Sequence, residues 1–367
     1  TRPGRTIAVP RELRGLATIR ASHSPLLIPI DTSAASAAFS LRASGIRLPM
    51  PGNLLGLPRH RPVSGRATMA EIVECVPNFS EGRRREVVDA IAGAIASTRG
   101  VRLLDTELDA NHNRCVITFI GDRVGIIEAA MAGARKAVEL IDMNHHRGEH
   151  PRIGALDVLP FVPVAGVTID DCVQIARTVG RRLSDELGVP VYLYEAAATR
   201  PDRKDLPNIR RGEYEGLKAE IGTNPDRKPD FGPPRLHPTA GATVVGARPI
   251  LIAWNVNLAT KDVKVAKRIA KAIRESDGGL PAVRAKGFEL SDRGLVQVSM
   301  NMIDYHKTSL LRVFNEIQRL AADAGVTIAE SEIVGLVPLE PLMEAATAHL
   351  KLAGFQRSQV LEARLWE

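Results

Sequence analysis

Six regular segments between Ile250 and Val337 give the clearest indication of the fold. They are ILIAWNVNL (250–258), KDVKVAKRIAKAI (261–273), VRAKGFEL (283–290), LVQVSMNMI (295–303), TSLLRVFNEIQRLAADA (308–324) and TIAESEIVGLV (327–337). Apolar residues three and four apart predict helices in the second and fifth segments, and the other four are short apolar runs typical of strands. The resulting order, β-α-β-β-α-β, is that of a ferredoxin-like unit.

The same order recurs upstream of this stretch. The pattern predicts strands at 71–76, 101–105, 114–120 and 155–164, helices at 84–98 and 123–141, and a further helix and strand ending at residue 194. Short connections between the middle strands favour antiparallel sheets with helices on one face. We therefore predict an α+β protein with two ferredoxin-like subdomains, at residues 69–246 and 247–367, with an irregular stretch at 199–238 near the end of the first.

The net charge of the chain is unevenly distributed. The 367 residues carry a net charge of +7, but residues 1–67 contain ten arginines, no lysine and two acidic residues, a net of +8. The remaining 300 residues contain 39 basic and 40 acidic side chains, a net of −1. Because a nucleic-acid surface needs its excess charge on the folded part, we expect no nucleic-acid partner.

Residues 1–68 are rich in Arg, Ser, Pro and Ala and show no regular apolar pattern, so we predict that they form a disordered extension. An Arg-rich, acid-poor segment is also typical of an organelle transit peptide. Eight prolines, however, interrupt the amphipathic helix that such a peptide forms. We favour the interpretation that Met69 is the native start and that the extension is not part of the native protein.

Other protein classes are excluded by features that the sequence lacks. No uncharged stretch approaches the ~18 apolar residues of a membrane-spanning helix, so we expect no membrane association. The three cysteines, Cys75, Cys115 and Cys172, form no C-x-x-C pair and lie among apolar neighbours, which indicates reduced core thiols in a cytoplasmic protein. Dinucleotide and P-loop motifs do not occur at the required positions.

Three histidines fall in one short polar loop, HHRGEHPR (145–152). A metal site is one interpretation, because His146 and His150 are four residues apart. The glycine and the proline of the loop oppose the helix that would aim both rings at one ion, so we predict no metal. Acid–base chemistry suits His150 better, since an imidazole titrates near neutral pH. A solvated loop without function is the plain alternative, and His145 and His146 fit it well.

A second candidate segment, DFGPPRLHPTAGAT (230–243), lies between the two repeats. Its glycines permit close approach of the backbone to a ligand, its prolines stiffen the loop, and Arg235 and His237 offer cationic or hydrogen-bonding groups. An interdomain linker is the alternative interpretation. Ligand clefts also form where domains meet, so the two interpretations are compatible.

Several runs of residues resemble one known family. They are ECVPNFSEG (74–82), LD (104–105), NR (113–114), GEHPRIGALDV (148–158), GVPVYLY (188–194) and DFGP (230–233). Together they resemble the glutamate formimidoyltransferase (formiminotransferase) family, in its stand-alone form without a cyclodeaminase domain. The resemblance covers residues 69–350 and begins at Met69, where the charge and the apolar pattern also change.

The resemblance implies a one-carbon transferase of histidine degradation. Such an enzyme moves the formimino group from N-formimino-L-glutamate to its co-substrate tetrahydrofolate, which gives 5-formiminotetrahydrofolate and L-glutamate. The resemblance also implies a homodimer of chains with two ferredoxin-like subdomains and folate in the groove between them. Because the chain ends at Glu367 without a cyclodeaminase half, we expect a separate protein to process the product.

The resemblance implies site residues as well. The catalytic histidine of the family corresponds to His150. Its folate-binding segment corresponds to Gly232, Pro233, Pro234, Arg235, Leu236, His237, Pro238, Thr239, Ala240 and Gly241. Animal members have an aromatic residue where this chain has Ala240, so the pterin is expected to stack differently here.

Four further residues are candidates for holding the substrate. Glu107, Asn113 and Arg114 lie in or beside the connection between two predicted strands and could orient it, and Arg152 could hold one of its carboxylates. Other functions remain open: ATP-dependent 5-formyltetrahydrofolate cyclo-ligase activity, as in some family members, or a non-catalytic folate-binding protein. An RNA-binding module is a further alternative, which the net charge and the lack of an aromatic-rich strand disfavour.

Overall fold

A computed structural model describes residues 71–365, and the extension expected at 1–68 lies outside the described residues. The strands are β1 (Ile72–Cys75), β2 (Asn78–Phe79), β3 (Val101–Asp109), β4 (Arg114–Gly121), β5 (Leu156–Ala165), β6 (Val191–Glu195), β7 (Thr243–Ala247), β8 (Ile252–Leu258), β9 (Val283–Leu290), β10 (Leu295–Met302) and β11 (Ile328–Val334). The helices are α1 (Arg85–Ala96), α2 (Arg123–Leu140), α3 (Ile169–Leu187), α4 (Leu206–Arg210), α5 (Glu213–Glu220), α6 (Val263–Ile273), α7 (Leu310–Asp323) and α8 (Leu339–Leu350). The expected α+β class is confirmed.

The first half of the described chain builds a mixed sheet. β1 and β2 follow one another along the chain, and both pair antiparallel with β4 on one side and with β5 on the other, while β3 pairs with the outer side of β4. β5, β7 and β6 continue the sheet in parallel. The prediction of a purely antiparallel sheet is therefore wrong for this half. The reason is that α3 crosses over between β5 and β6, and a helical crossover returns the chain in parallel.

Helices α1, α2 and α3 pack on one face of this sheet. Their apolar sides and the inward side chains of the strands form one core, whose largest fully buried members include Phe79, Phe119 and Phe161. The three cysteines are free and buried, as expected. Helix α3 begins with a capping box, which the Thr168 hydroxyl and the Asp171 carboxylate form.

The opposite face of the sheet is partly covered by the irregular stretch 199–238, which we call the covering segment. Ile209, Leu217 and Ile221 of this segment pack on Tyr192 and Val244 from the strands. Strand β7 is consequently buried along its whole length. Strand β7 was not predicted from the sequence, because a strand of five residues between a glycine and a proline is too short to show an alternating apolar pattern.

The second half forms a four-stranded antiparallel sheet in the order β11-β8-β10-β9. Helices α6 and α7 contribute to a separate core with the inward side chains of these strands. Helix α8, which the sequence analysis did not predict, follows β11 and contacts α7. No helix within the described residues is long and apolar enough to cross a membrane.

Candidate active site

The candidate catalytic histidine lines a narrow cleft. Residues from three parts of the chain line this cleft: β2 and the turn after it, the connection from β3 into β4, and the loop that leads from α2 into β5. They are Asn78, Phe79, Ser80, His112, Asn113, Arg114, His146, His150, Arg152 and Asp157.

The loop before β5 is fastened to the β3–β4 connection. A Cβ atom on Gly148 would lie 2.2 Å from the carbonyl oxygen of His112, so glycine is needed for this approach. Asn113, whose φ is 49°, completes the junction. Its Oδ1 accepts a hydrogen bond from the backbone N–H of Gly82 at 3.0 Å, and its Nδ2 donates to the carbonyl of Arg147 at 2.9 Å. The Asn113 side chain thus bonds the backbone on both sides.

Behind the cleft, His146 and Arg152 are buried in contact with each other. The Nε2–H of His146 donates to the carbonyl of Asn113 at 2.9 Å, and its Nδ1 accepts from the Nε–H of Arg152 at 3.3 Å. The Nη groups of Arg152 donate to the carboxylates of Glu213 and Glu215 at 2.8–2.9 Å. Arg152 therefore ties the histidine loop to helix α5, and its donors are engaged within the protein.

The three loop histidines have different surroundings. The side chain of His145 is 87% exposed, in agreement with a solvated loop residue. The same interpretation of His146 is wrong, because its ring is 6% exposed and both of its nitrogens bond inside the protein. His150 is half-buried and lines the cleft. One short loop thus supplies a surface residue, a packing residue and a cleft residue.

His150 lies beside a positively charged wall. Burial lowers the pKa of its imidazole from 6.5 to about 3, and the nearby charges of Arg114 and Arg210 contribute to the decrease. The ring of His112 meets that of His150 edge-on, with 6.1 Å between the centroids. The Nδ1 of His112 in turn lies 2.5 Å from the Oδ2 of Asp109. His150 is therefore neutral near pH 7, in the form that can accept a proton.

Arg114 and Arg210 form the positive wall. The Nε–H of Arg114 donates to Oδ1 of Asn78 at 3.0 Å, and its Nη2 bonds the same oxygen. Arg210, the last residue of α4, forms an ion pair with the buried Asp157 at the start of β5. Burial lowers the pKa of Arg114, and the charge of Arg210 lowers it further. The two guanidinium groups are therefore close enough to repel each other.

Glu107 has a different position from the other candidates. Its carboxylate accepts a hydrogen bond from the backbone N–H of Gly335, which follows β11, so it lies at a contact between the two halves of the described chain. Burial raises its pKa, and the neighbouring Asp105 contributes to the increase. Among the described residues that line the His150 cleft, Glu107 does not occur.

The second candidate segment adjoins the histidine loop. The backbone N–H of Ala242 donates to the carbonyl of Ile153 at 3.0 Å, and that of Ala155 donates to the carbonyl of Ala240 at 2.8 Å. The Nδ1 of His237 accepts hydrogen bonds from the backbone of the same segment, from Ala240 at 3.0 Å among others. Burial lowers the pKa of His237. This histidine therefore stabilises the segment from inside, while Arg235 is exposed.

Comparison with known proteins decides the family. Residues 72–248 match the formiminotransferase domain, N-terminal subdomain, and residues 253–362 match the formiminotransferase domain. The chain is 50% identical to a glutamate formimidoyltransferase of Thermoplasma acidophilum over 296 residues, which are 80% of this chain and 97% of that protein. The chain belongs to the glutamate formimidoyltransferase family.

Other members of the family show the same relationship. A glutamate formimidoyltransferase of Streptococcus pyogenes is 46% identical over 81% of this chain and 99% of its own length. The formimidoyltransferase-cyclodeaminase of Sus scrofa is 48% identical over 76% of this chain, and the match covers 52% of that longer protein. The similarity to whole glutamate formimidoyltransferases shows that this chain is an enzyme of this type.

Three residues in or directly behind the cleft were not predicted from the sequence. His112 and Asn78 fall in or beside runs that resemble the family, so a motif-based search could have found them. Arg210 lies in an irregular stretch rich in arginine, where no local signal distinguishes it from surface residues. Within residues 71–365, no group of three or more His, Cys, Asp or Glu side chains is arranged to hold a metal ion.

The buried imidazole makes the stability of this formimidoyltransferase depend on pH. Because the folded state keeps His150 neutral down to about pH 3, the unfolded chain binds more protons below pH 6.5, and the free energy of unfolding falls as the pH decreases. At pH 5, His150 alone accounts for up to about 2 kcal/mol of this loss. We expect His150→Gln to lose less stability than the wild type between pH 8 and pH 5 in urea unfolding. If both proteins lose the same free energy of unfolding, His150 is not a neutral, buried imidazole in the folded state.

Proposed function

We propose that the enzyme transfers the formimino group from N-formimino-L-glutamate to tetrahydrofolate and releases L-glutamate, with His150 as the proton-transfer group. The supporting observation is a neutral imidazole in a cleft that Arg114 also lines, with the charge of Arg210 acting on it, directly beside the segment that resembles the folate-binding segment of the family. The donor is an anion with two carboxylates, which suits a positive cleft. The 5-formiminotetrahydrofolate product is consistent with a role in histidine degradation.

His150 acts in this proposal as base and then as acid. N5 of tetrahydrofolate forms a bond to the formimino carbon, and His150 accepts the proton that N5 loses. His150 then donates that proton to the glutamate nitrogen as the carbon–nitrogen bond to glutamate breaks. The proton is returned and no covalent enzyme intermediate is needed. Such catalysis contributes roughly 10²- to 10⁴-fold in rate.

We assign different roles to the four candidates for holding the substrate. Arg114 lines the cleft and can contact the donor directly. Asn113 and Arg152 are bonded within the protein, so we propose that they position the histidine loop. Glu107 lies at the contact with Gly335 and interacts electrostatically with Arg114, so we propose that it positions the two halves of the enzyme and Arg114.

We propose Gly232–Gly241 as the folate-binding segment. Its backbone bonds to residues 153 and 155 join it to the histidine loop, so a folate held there would present one end to His150. Ala240 is 2% exposed, and its carbonyl is already bonded, so this position offers no surface for stacking. The pterin would therefore be held by the neighbouring residues of the segment.

We also infer two ferredoxin-like subdomains, at residues 69–246 and 247–367. In support, the strands of the second half follow the order β11-β8-β10-β9, and β3, β4, β1 with β2, and β5 repeat that arrangement within the mixed sheet. We also propose that the enzyme is a homodimer and that it is located in the cytoplasm.

A single comparison of activities tests the proposed function. The full chain is incubated with N-formimino-L-glutamate and tetrahydrofolate, and in parallel with 5-formyltetrahydrofolate and ATP. We expect release of L-glutamate in the first reaction and no consumption of ATP in the second. Turnover in the second reaction alone would establish the cyclo-ligase instead. Folate binding without turnover in either would indicate a non-catalytic folate-binding protein.

A further inference from the structure

Arg210 is bonded less completely than its buried position requires. A guanidinium has five N–H donors, and the structure shows Asp157 as the acceptor for one of its Nη groups. Within residues 71–365, the Nε of Arg210 is the one buried side-chain nitrogen or oxygen without a hydrogen-bond partner. Buried polar groups are normally paired, and Asp157, the partner of Arg210, lines the cleft, so this exception directly behind the cleft indicates a missing acceptor.

Two other arginines of the covering segment show that Arg210 differs from its neighbours. Arg203 is bonded to the carboxylate of Asp230 and to two backbone carbonyls. Arg227 is bonded to the carboxylate of Glu220 and also to two backbone carbonyls. Both are more deeply buried than Arg210, and both have a structural role. Arg210 is the arginine of this segment whose charge acts on His150.

The chemistry of the Arg210 guanidinium group indicates what the missing acceptor is. Asp157 is paired with Arg210, and the charges of Asp157, Asp109 and Glu107 act on Arg114. Asn78, the other partner of Arg114, is uncharged. The Nε–H of Arg210 is the donor left without an acceptor, and guanidinium groups bind carboxylates with two parallel hydrogen bonds.

We propose that Arg210, with Arg114 beside it, binds a carboxylate of the formimino donor. The identity of the donor rests on the proposed function, whereas the carboxylate chemistry follows from the two arginines. A bound carboxylate also neutralises part of the positive field at His150. The donor therefore makes His150 a stronger base when it is in place, and binding is coupled to proton transfer.

The test compares two arginines and three donors in the full-length enzyme. Arg210→Lys keeps a positive charge beside Asp157 but removes the planar guanidinium that can form two parallel hydrogen bonds. Arg203→Lys is the matched control, because Arg203 is a buried arginine that is paired within the protein. Each protein is assayed with N-formimino-L-glutamate and with the two donors in which one carboxylate is replaced by a carboxamide. We expect Arg210→Lys to raise KM for the dicarboxylate donor roughly 10- to 100-fold and to leave the dissociation constant of tetrahydrofolate unchanged.

The carboxamide donors distinguish loss of a carboxylate contact from a general structural effect of the Arg210→Lys substitution. In the wild type, one carboxamide is expected to react roughly 10- to 100-fold less efficiently than the dicarboxylate, and this preference should be lost in Arg210→Lys but kept in Arg203→Lys. Parallel losses for all three donors, an unchanged KM, or weakened folate binding instead would overturn the proposal. If the wild type shows no transfer, the proposed function fails. Calorimetric binding of L-glutamate to the wild type and to Arg210→Lys then tests the carboxylate site by itself, and equal affinities would overturn it.

Discussion

Replacement of His150 by glutamine is expected to lower kcat for formimino transfer roughly 10²- to 10⁴-fold. Glutamine keeps a polar side chain of similar reach but cannot take up and return a proton. The dissociation constant of tetrahydrofolate should remain near that of the wild type, because the proposed folate segment is formed by other residues. Steady-state assays of L-glutamate release and equilibrium folate binding measure the two quantities separately.

His145→Gln is the matched control for this substitution. It makes the same chemical change in the same loop, but its side chain is 87% exposed and has only a long contact with Asp142, at 3.8 Å. We expect its kcat to stay within a factor of two of the wild type, about 0.4 kcal/mol in the activation barrier. If the two variants have equal kcat, His150 has no role in the proton transfer.

The second large effect is expected at the junction between the histidine loop and the proposed folate segment. A Cβ atom on Gly154 would lie 1.9 Å from the carbonyl oxygen of Ala242 and 2.8 Å from that of Ala240. Both neighbours are backbone atoms, so Gly154→Ala must separate the two segments. We expect a loss of roughly 2–4 kcal/mol in the free energy of unfolding, together with weaker folate binding. Urea unfolding and folate titration measure these effects.

Gly93→Ala is the control for the junction. Gly93 lies on the exposed side of α1, and no atom lies within 4 Å of the position where its Cβ would be. Alanine there should stabilise the enzyme by up to about 1 kcal/mol, because it favours the helix. If Gly154→Ala is as stable as the wild type and binds folate equally well, the histidine loop and the proposed folate segment are not in close contact.

Local pattern was sufficient for most of the secondary structure. Helix α6 was predicted to within two residues, since valine, isoleucine and alanine recur at helical spacing between lysines. The strands of the second half were equally clear, because they alternate buried and exposed residues. What the pattern could not show was the parallel addition of β7 and β6, since pairing direction depends on how the intervening chain is routed.

The candidate site was predictable only where a residue lies in a recognisable run. His150 and Arg114 were selected in this way, and both line the cleft. Arg203 and Arg227 resemble solvated loop charges in the sequence, yet both are buried and form ion pairs with Asp230 and Glu220. Such pairing is a tertiary property that composition does not reveal, and Arg210 was missed for the same reason.

Transfer of the formimino carbon itself tests the central claim most directly. The full chain is incubated with N-formimino-L-glutamate labelled with ¹³C at the formimino carbon, and the reaction is followed by NMR with and without tetrahydrofolate. We expect the label to appear on tetrahydrofolate in a one-to-one ratio with released L-glutamate, only when both substrates are present, and at a rate strongly reduced in His150→Gln. Release of the label to solvent without tetrahydrofolate, or no loss of label from the donor when both substrates are present, would contradict formimino transfer by this enzyme.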